Sequence, residues 1–540
     1  MNHSAEISQN SVQPRYLNTP VGQMRVWTGG DGPSLVVLPG LVMSAKVTAL
    51  QMETQFPGWH MTVVELPGIG GSGNIPVRDI PGVAAAIYSA LSLLGIVRPV
   101  LLGFDLSAAI AIELSSLFSK GSELLLVDID KAKHWIHGDQ RLPSLKLCDD
   151  GTHLIALCAH FRNCLMLDSG RPTHIDPVGP ALPTDAELDT AVLDAAVNLV
   201  AYSKLWRICT KGLEHALRTD VEMFRAFQLP SLTSLKPRLH SLMEGRSLFH
   251  SRKNTEIETP SLRKDYLQTP SGRVHLRRVG RGPKTLLVFH SAPGSAEPLE
   301  LLMRRLAKGR TVVACDYLGN GDSDKAVGQV DINSMAKNAI EVADALGLDK
   351  VDLFGTHTGA LVALEFAIQQ PHRVGRIILE APVLLDQSFT NDILKNYLPP
   401  ILPDRWGTHF LRAWNMRRDM FLFWPWYRQS RDAARSLGLP DLQTLHSWTV
   451  GLLKSGHTYH LTYGAAFSYD TRSKLPLLRC PALICAGPAD MLVEGLAIAR
   501  QIAPVGTQVQ ATPATVWYPG QPSTAINAAI AIYDAFLKGK

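Results

Sequence analysis

The sequence predicts an α/β protein: two tandem domains, each with a mostly parallel, doubly wound β-sheet and a helical cap. The chain has 540 residues. Hydrophobic cores stop growing beyond roughly 250–300 residues, so at least two domains are expected. Short β-branched runs such as TLLVF and RIILE alternate with helical patterns, which is typical of a parallel sheet covered on both faces. The third observation is that the chain repeats itself.

Blocks of the first half return in the second half, in the same order and at a nearly constant distance. The pairs are YLNTPVG at Tyr16 with YLQTPSG at Tyr266, VVELPGIGGSG at Val63 with ACDYLGNGDSD at Ala314, and LLGFDLSAAIAIEL at Leu101 with LFGTHTGALVALEF at Leu353. Self-similarity of this kind indicates a repeated structural unit. We therefore predict two copies of one domain, fused in one chain.

The domain boundaries follow from the repeat and from local composition. Residues 1–250 form the first copy, and residues 251–264 form a polar, charged linker. Residues 265–540 form the second copy, in which the segment from about 383 to 475 is rich in aromatic residues and inserted before a late strand. Residues 218–244 read as more helical than strand-like, so we expect the first copy to lack its last strand–helix units.

Composition argues against several classes of function. The net charge is +5 without a dense run of Lys or Arg, so nucleic acid is not an expected partner. The seven cysteines form no CxxC pair, which argues against a zinc site or a disulfide framework. We predict no metal and no cofactor. The N-terminus lacks an apolar signal core and no long apolar span is present, so we expect a cytoplasmic protein without a membrane partner.

Four motifs of the second copy occur in a particular order. HSAPG begins at His290, DYLGNGDS at Asp316 and GTHTG at Gly355, and the late strand in PALICAGPAD leads to Asp490. Their order and spacing resemble those of the α/β-hydrolase fold superfamily. The resemblance covers most of residues 266–540, and the first copy resembles the same fold from residue 16 to about 130. It implies that the inserted segment is a helical cap that roofs an active site.

The GTHTG motif predicts a sharp strand-to-helix turn with His357 at its centre. Small neighbours permit the strained backbone of such a turn, and the next N–H lies at a helix N-terminus. The resemblance places His357 at the position of the catalytic nucleophile and Asp490 at that of the catalytic acid. It also implies that the backbone N–H groups of Ser291 and Thr358 form an oxyanion hole.

The usual triad cannot form from these residues. The family's general base is a histidine near the C-terminus, where this chain has Gln521, and no histidine follows His460. A neutral imidazole at the turn can accept a proton, so His357 and Asp490 are predicted to form a base dyad. His290, Gln521 and His460 are possible accessory residues; for the two histidines a structural role is the simpler interpretation.

In the first copy, Asp105 occupies the centre of the matching turn, GFDLS. An aspartate there resembles the haloalkane dehalogenase branch of the family, in which a carboxylate attacks the substrate. Such chemistry also needs a histidine that the first copy does not supply. A leftover polar residue in a strained turn is the simpler interpretation of Asp105.

Three functions remain open at this point. The first is hydrolysis of a small carbonyl or ester substrate by the second copy. The second is a catalytically inactive module for ligand binding or assembly. The third is a lyase or isomerase reaction in which His357 acts as the base. A small-molecule substrate is the expected partner, and the sequence leaves open whether the protein forms a homo-oligomer.

Overall fold

The computed structural model describes most of the chain as two compact units. It describes residues 12–119, 121–137, 142–167, 174–175, 182–219, 228–229, 232–243, 246, 248–249, 262–325 and 328–539. The first unit comprises Met1–Cys148, Thr152–Pro260 and Pro403–Thr408, and the second comprises Asp149–Gly151, Ser261–Leu402 and His409–Lys540. Most of the predicted linker, residues 251–261, lies outside the described residues. Its last three residues are not linker, because a strand begins at Leu262.

The second unit is built on an eight-stranded sheet. Its strands are β8 (Leu262–Thr269), β9 (Gly272–Val279), β10 (Thr285–Phe289), β11 (Thr311–Cys315), β12 (Val351–Thr356), β13 (Val374–Glu380), β14 (Ala482–Ala486) and β15 (Gln508–Ala511). They lie in the order β8-β9-β11-β10-β12-β13-β14-β15. The β8–β9 and β9–β11 pairs are antiparallel, and the other pairs are parallel. The sheet is therefore mostly parallel, as predicted.

Helices cover both faces of this sheet and form an insertion. They are α9 (Glu300–Leu306), α10 (Ile332–Ala345), α11 (Thr358–Gln369), α12 (Gln387–Asn396), α13 (Thr408–Leu422), α14 (Leu442–Lys454), α15 (Tyr459–Ser468), α16 (Thr471–Lys474), α17 (Gly495–Ile502) and α18 (Ser523–Lys538). Helices α12 to α16 lie between β13 and β14, over the segment where the helical cap is predicted. All five residues of β10 are buried, because helices cover a parallel strand on both faces.

The first unit is built on a seven-stranded sheet. Its strands are β1 (Gln13–Thr19), β2 (Gly22–Gly29), β3 (Ser34–Leu38), β4 (His60–Val64), β5 (Val100–Phe104), β6 (Glu123–Val127) and β7 (Gln228–Leu229). Its helices are α1 (Ala45–Gln55), α2 (Ile80–Leu93), α3 (Ala108–Ser116), α4 (Ile129–His137), α5 (Thr152–Met166), α6 (Asp185–Ala196), α7 (Leu199–Thr219) and α8 (Leu232–Met243). The strand order is β1-β2-β4-β3-β5-β6-β7, which is the order of β8 to β14 in the second unit.

A buried carboxylate at matching places in the two sheets pairs with an arginine of the antiparallel strand, although Arg277 lies two residues beyond His275, the counterpart of Arg25. In the first unit, Arg25 on β2 donates to the Glu65 carboxylate at 2.6 and 2.7 Å. In the second unit, Arg277 on β9 donates to Asp316 at 2.9 Å. Glu65 and Asp316 are the residues that the repeated blocks align. Each pair ties an antiparallel strand to the loop that follows the neighbouring parallel strand.

The end of the first unit differs from the prediction. The strand matching β14 is present as the two-residue strand β7, which pairs in parallel with β6. Helix α8 follows it, and Leu235 and Leu239 on α8 are buried in the same core cluster as Ala49 and Met52 on α1. The expectation that the last strand–helix units are missing is therefore wrong in part. Among the described residues of this unit, no strand corresponds to β15.

None of the described helices is both long and apolar enough to cross a membrane.

Candidate active site

The backbone of the strand-to-helix turn is strained at His357, and glycines on either side allow the close packing that this turn requires. His357 has φ 50° and ψ −115°, a backbone conformation that is costly for a residue with a side chain. A Cβ atom at Gly355 would lie 2.0 Å from the Gly359 carbonyl oxygen, and one at Gly359 would lie 2.1 Å from that of Phe289. The His357 N–H donates to the Glu380 carbonyl at 3.0 Å. Close backbone packing thus requires glycine at both flanking positions and holds His357 at the carboxyl edge of the sheet.

His357 and Asp490 form a buried dyad. The His357 Nε2 atom lies 3.0 Å from each carboxylate oxygen of Asp490. Asp490 follows β14, is 3% exposed, and also accepts hydrogen bonds from the Leu492 N–H and the Thr515 hydroxyl, both at 2.9 Å. Burial alone raises the pKa of Asp490, but the His357 imidazole and these donors outweigh it, so the pKa lies below its ordinary value. Asp490 is therefore a carboxylate held in place by three donors.

The protonation of the dyad follows from its chemistry. A carboxylate only accepts hydrogen bonds, so Nε2 of His357 must be the donor. In a neutral ring, Nδ1 then carries the lone pair. No described group is hydrogen-bonded to Nδ1, and His357 lines a cavity of about 320 Å³. The dyad therefore offers a proton acceptor to whatever occupies that cavity.

The cavity wall around His357 is aromatic, and the buried Glu380 carboxyl group holds one of its rings, Trp517, in place. The Trp517 ring meets the His357 ring edge to face at 5.1 Å and stacks on Trp448 of α14 at 5.5 Å. The Trp517 Nε1 atom donates to the Thr356 hydroxyl at 2.8 Å and to Glu380 at 3.1 Å. Burial raises the pKa of Glu380. Trp517 thereby limits the orientations open to the His357 ring.

Two arginines from the cap segment also line the cavity. Arg417 on α13 is 7% exposed and donates to the Pro293 carbonyl at 2.9 Å. Arg435 donates to the carbonyls of Met420 at 2.6 Å and Ala489 at 3.2 Å. Within the described part of the chain, neither guanidinium has a carboxylate at ion-pair distance. Because a buried charge is costly without a counter-ion, both favour an anionic group in the cavity.

The loop after β10 contributes His290 and Ser291 to the same cavity. The His290 Nδ1 atom donates to the Ser291 carbonyl at 2.7 Å, and the Tyr317 hydroxyl donates to the His290 carbonyl at 2.8 Å. Burial lowers the pKa of His290, so this ring is neutral and ties the loop together. Thr358 is the first residue of α11, so its N–H has no acceptor within the helix.

Comparison with known proteins agrees with this architecture. Residues 284–493 match the family described as the alpha/beta hydrolase fold. These residues have the α/β-hydrolase fold.

Curated relatives of the chain include hydrolases. A 2-hydroxy-6-oxo-2,4-heptadienoate hydrolase of Pseudomonas putida is 33% identical over 132 residues, which cover 24% of this chain and 48% of that protein. A 2-hydroxymuconate semialdehyde hydrolase of Pseudomonas putida is 33% identical over 172 residues, covering 32% and 57%. The chain thus spans about half the length of the curated relatives it matches.

Solved structures with the same fold are more distant in sequence. Epoxide hydrolase A of Mycobacterium thermoresistibile is 20% identical with a TM-score of 0.41, covering 52% of this chain and 98% of that one. The enol-lactonase of Burkholderia xenovorans is 19% identical with a TM-score of 0.36, covering 51% and 97%.

Two predicted accessory residues of the α/β-hydrolase unit do not reach the site. Gln521 is half-buried in the segment before α18 and does not line the cavity. His460 is half-buried on α15 and does not line it either. The rings of Trp517 and Tyr518, close to Gln521 in sequence, line the cavity instead. The prediction that Gln521 and His460 are accessory residues is therefore corrected, because both lie outside the cavity.

Asp105 lies in the first unit, where its own side chain fills the turn. Its φ is 41°, and its carboxylate accepts from the N–H of Leu41 at 3.2 Å and from that of Leu106. A Cβ atom at Gly40 would lie 1.8 Å from one Asp105 oxygen, so the fit is tight. Burial raises the pKa of Asp105 to about 7. The Asp105 side chain thus accepts hydrogen bonds from the N–H groups of Leu41 and Leu106. In an open α/β-hydrolase turn, the two corresponding backbone N–H groups would be offered to a ligand.

Several functional side chains were not predicted. They are Thr515, Trp517, Tyr518, Glu380, Arg417 and Arg435. Arg417 lies in the aromatic stretch AWNMRRDMFLFWPWY, and Trp517 and Tyr518 lie in VWYPGQPS beside Gln521. A signal existed in each segment, but the sequence does not tell which arginine or aromatic ring of a stretch turns inward.

Proposed function

We propose that the second unit is a hydrolase of a small keto or ester compound that carries a carboxylate, with His357 as the general base. The observation that carries this proposal is the His357–Asp490 dyad: His357 lines an aromatic cavity, and no described group is hydrogen-bonded to its Nδ1. The central residue of the turn, His357, has no hydroxyl or thiol to attack the substrate, and the Thr356 hydroxyl accepts a hydrogen bond from Trp517. The imidazole therefore acts on water rather than replacing a serine.

The reaction proceeds through proton transfer at Nδ1 of His357. His357 removes a proton from a water molecule as the water oxygen bonds to the substrate carbonyl carbon, and the carbonyl oxygen gains the negative charge. Asp490 stabilises the imidazolium. When the tetrahedral intermediate collapses, the bond to the leaving group breaks and that group takes the proton from His357. The net result is addition of one water across the cleaved bond.

The first unit indicates which backbone groups hold the negative oxygen. There, the N–H groups of Leu41 and Leu106 bind the Asp105 carboxylate. Leu41 lies three residues after β3, as Ala292 does after β10, and Leu106 follows Asp105 as Thr358 follows His357. We therefore assign the oxyanion donors to the N–H groups of Ala292 and Thr358, with Ser291 as a lining residue.

Arg417 and Arg435 are the reason for proposing that the substrate carries a carboxylate. They line the same cavity as His357, and a bidentate guanidinium–carboxylate pair is among the stronger charged hydrogen bonds. The compounds named for the two Pseudomonas relatives, 2-hydroxy-6-oxo-2,4-heptadienoate and 2-hydroxymuconate semialdehyde, combine a carboxylate with an oxo group. That combination matches the charges and the base of this cavity.

Matched ester substrates test this proposal. We expect the protein to hydrolyse 4-nitrophenyl hemiadipate at least tenfold better in kcat/KM than neutral 4-nitrophenyl hexanoate. His357→Ala is expected to remove hydrolysis of both, whereas His460→Ala, on α15 outside the cavity, should leave it unchanged. Equal activity of His357→Ala and the wild type would contradict the assignment of the base.

A second candidate uses the same base without water. Because the centre of the turn carries an imidazole in place of a nucleophilic hydroxyl, His357 could also remove a proton next to a carbonyl, as the base of a lyase or isomerase does. Exchange of the carbon-bound protons of 4-oxopentanoate in deuterated water, followed by NMR, distinguishes this candidate. His357-dependent exchange without ester turnover would favour it over hydrolysis.

The first unit has a different role in this proposal. The two units derive from one duplicated domain, and the first keeps the sheet while Asp105 closes its turn. It contributes stability rather than a second reaction.

A further inference from the structure

Three buried polar atoms in the cavity wall lack a hydrogen-bond partner within the described residues. They are Nε2 of His290, Nε of Arg417 and the hydroxyl oxygen of Tyr518. A buried polar group without a partner costs free energy, so each instance calls for a reason. All three belong to side chains that line the cavity of His357. The occupant of the cavity is the simplest reason for all of them.

Tyr518 is the one of the three that lies against the base. Its ring meets the His357 ring at 6.0 Å, nearly perpendicular to it. The Arg435 guanidinium lies 5.6 Å from the centre of the Tyr518 ring and also acts on the hydroxyl oxygen as a longer-range donor, which leaves the hydroxyl proton for an acceptor. Tyr518 is 4% exposed, and burial raises its pKa well above the ordinary value. The hydroxyl therefore keeps its proton and can donate a hydrogen bond.

The other candidates in the cavity do not meet these conditions. The Tyr463 hydroxyl already donates to that of Tyr397 at 3.2 Å. The Nδ1 atom of His290 donates to the Ser291 carbonyl, so in a neutral ring Nε2 is an acceptor and cannot donate to a negative oxygen. Arg417 is a permanent cation and suits the carboxylate of the substrate.

We propose that Tyr518 is a catalytic residue whose hydroxyl donates a hydrogen bond to the substrate oxygen that gains negative charge as His357 takes its proton. The inference rests on the proposed function and adds a residue to it. No bond to Tyr518 is made or broken: the phenol keeps its proton while the carbonyl π electrons move onto the substrate oxygen. The same hydrogen bond serves water attack and enolate formation, because both reactions charge a carbonyl oxygen.

Kinetics of Tyr518→Phe give the first test, because this change removes the hydroxyl and keeps the ring. Loss of one such donor lowers kcat by about 10²–10³ in other enzymes. We expect a fall of that size on 4-nitrophenyl hemiadipate, with KM changed less than threefold. The control is Tyr427→Phe, whose hydroxyl bonds to Asp392 at 2.7 Å outside the cavity and whose loss should leave kcat unchanged. A wild-type kcat in Tyr518→Phe would overturn the proposal even if His357→Ala is inactive.

Ligand binding tests the same hydrogen bond without turnover. The probe is 5,5,5-trifluoro-4-oxopentanoate, whose hydrated ketone resembles the tetrahedral intermediate, and pentanoate is its matched control. Fluorescence of Trp448 and Trp517 reports occupancy of the cavity. We expect the wild type to bind the oxo probe more tightly, and Tyr518→Phe to weaken it at least tenfold while pentanoate binding stays within twofold.

The two tests separate the possible failures. If no ester is hydrolysed, the proposed function fails, and the binding measurement still decides the role of Tyr518. If the wild type shows no preference for the oxo probe, or if Tyr518→Phe weakens both probes equally, Tyr518 is a packing residue and the inference is wrong.

Discussion

His357 reaches Asp490 directly from the turn. In a serine triad, the turn residue and the acid are joined through a separate histidine. Here the imidazole itself spans from the turn to Asp490, and its Nε2 contacts both carboxylate oxygens at 3.0 Å. Trp517 and Tyr518 line the cavity beside this ring. In the proposed mechanism, no separate histidine is needed between His357 and Asp490, which accounts for the missing C-terminal histidine.

Asp105 allows a prediction about stability and pH. Burial raises its pKa to about 7 from an ordinary value of 3.8. A carboxyl group with a raised pKa binds its proton more tightly in the folded state, so stability is greatest at low pH and is lost as pH rises from about 4 to 7. Asp105→Asn, which does not titrate, should therefore gain stability relative to the wild type by about 2–3 kcal/mol between pH 5 and pH 8.

Thermal and urea unfolding of both proteins at the two pH values measures this difference. If the gap in unfolding free energy between Asp105→Asn and the wild type is the same at pH 5 and pH 8, Asp105 does not titrate as the structure indicates.

At the scale of elements, the β12–α11 turn depends on close contact between backbones. A Cβ atom at Gly359 would approach the Phe289 carbonyl oxygen to 2.1 Å, so β10 and α11 would have to move apart. We expect Gly359→Ala to lower the free energy of unfolding by about 1–3 kcal/mol, the usual cost of overpacking. Urea unfolding, followed through the transition of the second unit, measures the change in the free energy of unfolding.

Gly451 in α14 supplies the matched control. Nothing lies within 4 Å of a Cβ atom at this position, and alanine is favoured over glycine inside a helix by about 0.5–1 kcal/mol. Gly451→Ala should therefore be neutral or stabilising. Equal destabilisation by both substitutions would show that close packing at the turn is not the cause.

The sequence predicts elements better than it predicts what fills the site. Strand–helix alternation and the repeated blocks predicted both sheets. The GTHTG motif predicted the turn at His357, and the resemblance to the α/β-hydrolase fold implied the helices of the inserted segment. The strand β7 was missed because two residues carry no periodic pattern. Thr515 and Arg417 were missed because their roles depend on which side chains the folded chain brings to Asp490 and to the cavity, which is set by contacts distant in sequence.

At the scale of the whole molecule, two sheets share a strand order over seven strands, and their strand-to-helix turns carry different central residues, Asp105 and His357. In the first unit, Asp105 satisfies the donors of its turn with its own carboxylate. In the second unit, His357 has no carboxylate to accept from the corresponding N–H groups of Ala292 and Thr358, and its ring is hydrogen-bonded to Asp490. The proposal therefore places the chemistry in the second unit and assigns none to the first.

An aspartate-to-asparagine change in each unit tests this claim most directly. Asp490→Asn keeps the shape of the side chain and an acceptor for Nε2, but removes the charge that stabilises the imidazolium. The measurement is kcat/KM on 4-nitrophenyl hemiadipate for Asp490→Asn, with Asp105→Asn as the control. We predict a fall of about 10²–10⁴ for Asp490→Asn, comparable to losses in serine triads, and no change for Asp105→Asn. Wild-type activity in Asp490→Asn, or a comparable loss in Asp105→Asn, would contradict the account.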